Sequence, residues 1–150
     1  MKDILVKDIL EQCNGKLLCG NKNELCENFS KDTRTIQEGD IYLGIKGEKF
    51  NGSIFFEEAL QKGAKGCILQ DIEIDEQTLI KYKDKFIIIV KNVVLAIQEL
   101  AKYKRSLYNI PVIGVTGSVG KTSTKDIIAS ILSQKYKVLK TEGNYNNEIG

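Results

Sequence analysis

Apolar residues recur along this chain with two different rhythms. Leu5, Ile9 and Cys13 fall on one helical face of residues 3–12, and Phe55, Phe56, Ala59 and Leu60 do the same within residues 53–62. Ser53 is the expected N-cap of the second helix and Gly63 its stop. The runs "GCILQ" and "FIIIV" are unbroken instead, the pattern of strands buried on both faces. Shorter strands are predicted at "KLLC" and "ELCENFS", and "EGDIYLGIKG" reads as a turn into a strand closed by Gly47. Residues 1–90 are therefore expected to form a small α/β domain.

A second unit is expected over residues 91–150. Val93, Val94, Ile97, Leu100, Ala101 and Lys104 trace a helix that ends before Pro111. "PVIGVTG" reads as a buried strand, and Ile127, Ile128, Ile131 and Leu132 stripe the helix after it. "KVLKT" reads as the next strand. Strand, helix and strand over this length make a βαβ unit, with the two strands parallel and joined by a right-handed crossover.

Composition narrows the function classes. The chain has 150 residues, 42% hydrophobic and 28% charged, which suits one ordinary domain or two small ones. A net charge of +2, with both signs interspersed, is too small for nucleic-acid binding driven by phosphate neutralisation. No apolar run approaches a membrane span, and Asp3 and Asp8 interrupt the N-terminus as no secretory signal would allow. A cytoplasmic protein is expected. Cys13, Cys19, Cys26 and Cys67 lack C-x-x-C spacing and histidine is absent, so the thiols read as packing residues rather than zinc ligands or disulfides. Without histidine, any general base among these residues is a carboxylate or a lysine.

The chemistry concentrates in "GVTGSVGKTSTKD", residues Gly114 to Asp126. A glycine turn between a strand and a helix directs several backbone N–H groups to one point, at the positive end of the helix dipole. Phosphate oxygens suit that cradle. Lys121 would reach the β- and γ-phosphates, and the Thr122 hydroxyl would ligate Mg²⁺. The spacing is G-x-x-G-x-x-G-K-T, because Val115 stands where the usual phosphate loop has its first glycine. A glycine-rich turn without a ligand is the alternative, and the Lys-Thr pair directly after the last glycine weighs against it.

At this point the sequence resembles the Mur ligases. "GVTGSVGKTSTK" is similar to their phosphate loop. "TEGNYNNEIG", residues 141–150, is similar to a segment of the branch that adds D-alanyl-D-alanine, and residues 32–69 are similar to the uridine-binding domain that this branch shares with the ligase adding the third amino acid. Lys125 and the Asn-rich tail favour the first branch. The resemblance implies an N-terminal uridine-binding domain, residues 1–90, followed by the first βαβ unit of an ATP-binding domain. It also implies an ATP- and Mg²⁺-dependent, monomeric ligase of peptidoglycan precursors, with UDP-N-acetylmuramoyl-tripeptide and D-alanyl-D-alanine as substrates. The family passes the γ-phosphoryl of ATP to the peptide carboxylate, and an amine then displaces phosphate from the acyl phosphate.

Carried over residue by residue, Thr116, Gly117, Ser118, Val119, Gly120, Lys121, Thr122 and Ser123 would hold the nucleotide, with Lys121 catalytic and Thr122 on the metal. Thr33, Arg34, Lys46, Gly47, Phe50, Asn51 and Gly52 would form the uridine diphosphate pocket. Asn144 and Asn147 either line the substrate channel or stabilise a turn. Without the resemblance, Arg34 reads as a surface ion-pair residue and Phe50 as core. The chain departs from the family at Val119, where Asn is usual, and at Asn51 and Ser53, where D-G-H is common. The expected piece is N-terminal and inactive alone. A nucleotide-dependent switch and a non-catalytic UDP-sugar-binding module are the readings from other classes.

Overall fold

A computed structural model describes residues 3–141 and divides the chain into two units, between Tyr108 and Asn109. In the first unit, β1 (Ile4–Leu5) leads into α1 (Val6–Gln12), followed by β2 (Lys16–Cys19), β3 (Leu25–Cys26), β4 (Phe29–Ser30) and β5 (Ile41–Leu43). A 3₁₀ turn (Gly52–Phe55) runs into α2 (Phe56–Gln61). Then come β6 (Gly66–Leu69), α3 (Glu76–Lys81), β7 (Phe86–Ile89) and α4 (Val93–Ser106). Five strands form one sheet in the order β2-β7-β6-β5-β4. The pairs β4–β5, β5–β6 and β6–β7 are parallel, and β2 closes one edge antiparallel to β7.

The unbroken apolar runs are explained by burial on both faces of this sheet. Ile68 of β6 and Phe86 and Ile88 of β7 join Ile9, Val93, Ala96 and Leu100, so α1 and α4 cover one face. Cys67, Leu69 and Ile87 point the other way, against Phe56, Ala59 and Leu60 of α2. Alternate residues of a strand address opposite faces, so only a two-sided core demands an apolar residue at every position.

The structure corrects four local expectations. The first helix begins at Val6 rather than Asp3, because Ile4 and Leu5 pair with Cys26 and Leu25, and the Asp8 carboxylate takes the Leu5 N–H at 2.8 Å. "ELCENFS" is two strands in two different sheets. Ser53 caps no helix: it is buried inside the 3₁₀ turn, whose N-cap is Asn51, with the Asn51 side chain accepting the Ser53 N–H, and α2 follows without a side-chain cap. The helix at 76–81 was not anticipated, since its six residues carry too few apolar positions for periodicity. Asp75 caps it, accepting the Thr78 N–H at 2.9 Å.

The unit boundary also moves. The sequence places α4 in the second unit, yet Val93, Ala96 and Leu100 are buried in the same core as Ile9 and Ile41. The division therefore falls after α4 rather than near residue 91.

In the second unit, α5 (Lys121–Leu132) forms as expected. The two strands expected beside it, "PVIGVTG" and "KVLKT", do not form among the described residues. A strand exists only as part of a hydrogen-bonded ladder, and no described residue pairs with either segment. Their apolar side chains are exposed accordingly, Leu139 at 98%. Lys125 Nζ donates to the Thr141 carbonyl at 2.7 Å and Lys140 Nζ pairs with Asp126 at 2.8 Å, which holds residues 140–141 beside α5.

All four cysteines are free thiols, with Cys26 and Cys67 buried. Burial pushes Cys13 up to about 11 and Cys26 up to about 12, and raises Cys67 and Cys19 as well. Only thiolates react, so Cys26 and Cys67 are expected to label with Ellman's reagent at pH 8 at least about tenfold more slowly than in urea. Because the folded values are raised, this contribution to stability is complete below about pH 9. It is lost as pH rises through about 11 to 12. Equal labelling rates in folded and urea-treated protein would contradict the burial.

Candidate functional site

In a parallel sheet the loops after each strand emerge at the same carboxyl edge, where open α/β folds bind ligands. Here that edge carries residues 31–35 after β4, 44–52 after β5, 70–72 after β6 and 90–92 after β7. Thr33, Arg34, Lys46, Gly47, Phe50, Asn51 and Gly52 are separated by up to 19 positions in sequence, and all fall on the first two of these loops.

Arg34 forks onto Asp32, with Nε 2.9 Å and Nη2 2.5 Å from its two oxygens, and its side chain is largely exposed. The hydrogen bonds from the Arg34 side chain and backbone N–H hold the Asp32 carboxyl down at about 2. Asp32 is thus ionised throughout the neutral range and orients the guanidinium. Thr33 Oγ1 donates to Glu58 of α2 at 3.0 Å, and Lys62 Nζ reaches the Thr33 carbonyl at 3.1 Å. The bond from Lys62, then that from Thr33, lowers Glu58 below the usual carboxylate range.

The loop from Lys46 to Gly52 is pinned at both ends. Lys46 and Asn51 pair across it, and the Gly47 N–H donates to the Phe50 carbonyl at 2.9 Å. Lys46 Nζ meets Asp71 at 2.7 Å. The Asn51 amide donates to the carbonyls of Gln70 and Asp71 at 3.1 and 3.0 Å, so its side chain is committed to holding the loop. Gly52 has a packing reason: an added Cβ would stand 2.5 Å from the Ile45 carbonyl, and Tyr42 Oη donates to the Gly52 carbonyl at 2.8 Å. Phe50 is not core. It is 62% exposed and stands edge-to-face against Phe55 with ring centroids 6.2 Å apart.

Ser53, Gln70 and Asp71 were missed as parts of this edge. Ser53 Oγ donates to the Gly44 carbonyl at 3.0 Å and accepts the Gln70 N–H at 2.9 Å. The polar pair after "GCIL" was the available signal, since it stands where a buried strand ends.

In the second unit, the loop at residues 116–123 is exposed. Gly120 adopts φ +79°, a left-handed conformation glycine enters without strain, and α5 starts at the next residue. Lys121 Nζ turns back onto the Gly117 carbonyl at 2.6 Å, so the ammonium already sits over an oxygen of the loop. Thr122, a hard oxygen donor of the kind Mg²⁺ prefers, lies in the first turn of α5. A twelve-residue helix, a left-handed glycine and a lysine over the loop fit a phosphate-bearing ligand with its metal. Asn144 and Asn147 lie outside the described residues.

Fold and loop together define an α/β protein with a parallel-sheet carboxyl edge that carries the candidate pocket residues and, in the second unit, a glycine loop at a helix start. Family comparison agrees: residues 28–105 match the Mur ligase family, catalytic domain, and residues 115–150 match the Mur ligase middle domain. The chain belongs to the Mur ligase family. It is 38% identical over 146 residues to a Synechocystis UDP-N-acetylmuramoyl-tripeptide–D-alanyl-D-alanine ligase, covering 97% of this chain and 31% of that one. A crystal structure of MurF from Acinetobacter baumannii superposes with a TM-score of 0.82 at 27% identity, over 99% of this chain and 31% of that one. The MurF ligase from Thermotoga maritima in complex with ADP gives a TM-score of 0.67 at 34% identity, over 80% of this chain and 26% of that one. The chain spans about a third of the length of these relatives.

Proposed function

We propose that this chain carries the uridine diphosphate pocket and the phosphate loop of a cytoplasmic, ATP-dependent ligase that joins D-alanyl-D-alanine to UDP-N-acetylmuramoyl-tripeptide. The observation that carries the reading is the gathering of the seven candidate pocket residues on two adjacent loops of one parallel-sheet edge. Arg34 and Lys46 supply cations for a diphosphate, and exposed Phe50 and Phe55 supply an apolar wall for a base. The names of the relatives support the same substrates.

In this reading residues 116–123 hold ATP, with Lys121 on the β- and γ-phosphates and Thr122 on Mg²⁺, which would neutralise charge on the phosphates when bound. Lys121 is the residue proposed to act in catalysis, by placing positive charge where the transferred group becomes more negative. Residues 1–108 hold the UDP end of the other substrate. Residues 1–150 alone are proposed to bind without ligating, since they span 31% of their relatives and the described part of the second unit is one helix with its flanking segments.

Titration calorimetry with UDP-N-acetylmuramoyl-tripeptide, and with UDP as a control, tests this. Both are expected to bind, and Arg34→Ala is expected to weaken both by about 3- to 10-fold, the range of a solvent-accessible charge-assisted hydrogen bond. Phosphate release from ATP in the same samples should stay at background. Absence of binding by a folded chain would remove the pocket and leave only the phosphate loop.

A further inference from the structure

Asp71 stands two residues after β6 and is one of two non-glycine residues with a left-handed backbone among the described residues, at φ +48°. That conformation is strained for most residues, and Asn and Asp tolerate it best. The Asn51 amide holds the Asp71 carbonyl at 3.0 Å and the preceding carbonyl, of Gln70, at 3.1 Å. A main chain fixed in this way delivers the carboxylate to the 46–52 loop, where it takes Lys46 Nζ at 2.7 Å. The lysine hydrogen bond holds the Asp71 carboxyl below the usual carboxylate range, so the pair is fully charged at neutral pH.

The two partners differ in freedom. Asp71 carries a short side chain on a strapped backbone, whereas the ammonium ends a flexible four-carbon stem. Both side chains are about half exposed, so the pair is weak enough to be exchanged. A phosphate that reaches Nζ in this position also approaches the Asp71 carboxylate, and like charges repel. Arg34 is placed otherwise. Its fork on Asp32 uses Nε and Nη2, which leaves Nη1 to meet a ligand with the pair intact. Lys46 is the contested cation of this edge, and Asp71 is the competitor.

We propose that Asp71 is a specificity-determining residue of this edge: it holds Lys46 as an internal counter-ion and yields it to a ligand carrying more charge than one carboxylate, of the diphosphate class. The identity of that ligand as a uridine diphosphate rests on the uridine reading; the competition for Lys46 does not. If Asp71 only positioned the loop, loss of its charge would weaken anion binding, whereas a competitor gives the reverse sign. Asparagine separates the two, because it tolerates the left-handed backbone, keeps the main-chain bonds to Asn51 and removes only the charge.

The test follows the amide shifts of residues 46–52 in the whole chain as UDP or inorganic pyrophosphate is added at low ionic strength. Reading these amides keeps binding at this edge apart from binding at the phosphate loop of the second unit. Asp71→Asn is expected to tighten binding of both anions by about 2- to 5-fold, the scale of an exposed ion pair, and the gain should shrink at high salt. Glu73→Gln makes the same change of net charge two residues away, at a side chain that is not the partner of Lys46, and is expected to change affinity by less than about 1.5-fold. Tightening with UDP in Asp71→Asn alone, whether or not pyrophosphate binds, would uphold both the competition and the uridine reading. Binding unchanged or weakened in Asp71→Asn, or tightened equally in Glu73→Gln, would overturn the competition and leave the uridine reading standing. Pyrophosphate bound more tightly by Asp71→Asn, with no response to UDP, would uphold the competition and overturn the uridine reading. No response of these amides to either anion in any variant would overturn both.

Discussion

Lys121→Met is expected to weaken binding of ATP or ADP to this chain by about 10- to 100-fold, with the helix content unchanged. In the structure the ammonium rests 2.6 Å from the Gly117 carbonyl, a neutral acceptor inside its own loop. A nucleotide offers it charged phosphate oxygens in the same place, and hydrogen bonds to charged partners are worth about 1.5–3 kcal/mol. Methionine matches lysine in helix propensity and keeps the length of the side chain, so the variant removes charge and leaves α5 intact. Lys121→Arg is not expected to restore binding, because a planar fork cannot replace a compact point charge in a tight loop. Calorimetry with ADP and far-UV circular dichroism decide the matter together. Equal affinity in a variant with normal helix content would remove Lys121 from the proposed site.

The second large effect is on stability. Ser53→Ala is expected to cost about 2–4 kcal/mol in urea unfolding, far more than the loss of a helix cap. Ser53 is 0% exposed, and its hydroxyl joins the ends of two strands: it donates to the Gly44 carbonyl after β5 and accepts the Gln70 N–H after β6. Alanine would leave both backbone groups buried without a partner, and each such group costs about 1–3 kcal/mol. Asp75→Ala, which removes the exposed cap of α3, is expected to cost clearly less and so calibrates the comparison. A Ser53→Ala loss no larger than that of Asp75→Ala would mean that the brace is not structural.

The contrast between Ser53 and the phosphate loop shows where sequence patterns suffice. The loop is a local object: Gly117, Gly120 and Lys121 lie within five residues, and their order specifies a left-handed turn into a helix whatever surrounds it. Ser53 has equally good local credentials as an N-cap, but its partners are Gly44 and Gln70, nine and seventeen residues away. Arg34 and Phe50 behave similarly. Their residue types fit an ion pair and a core position, and the structure confirms the pair with Asp32 while placing Phe50 at the surface beside Phe55.

By itself the sequence determined the elements with strong local or two-sided signals: the buried strands β6 and β7, the helices α4 and α5, the glycine turn before Lys121, and the family to which those motifs point. These follow from short-range sterics, capping and apolar periodicity, which any window of ten or so residues contains. Tertiary structure alone decided that α4 packs on the first core, that Leu25–Cys26 and Phe29–Ser30 enter different sheets, and that residues 111–117 and 137–141 carry no strand among the described residues. It also decided that Lys46 pairs with Asp71 and that the buried Gln70 side chain accepts the N–H of Val93. Each of these depends on a partner distant in sequence. A strand needs a neighbouring strand, a helix needs a face to cover, and a buried hydroxyl or amide needs the atoms that the fold brings to it.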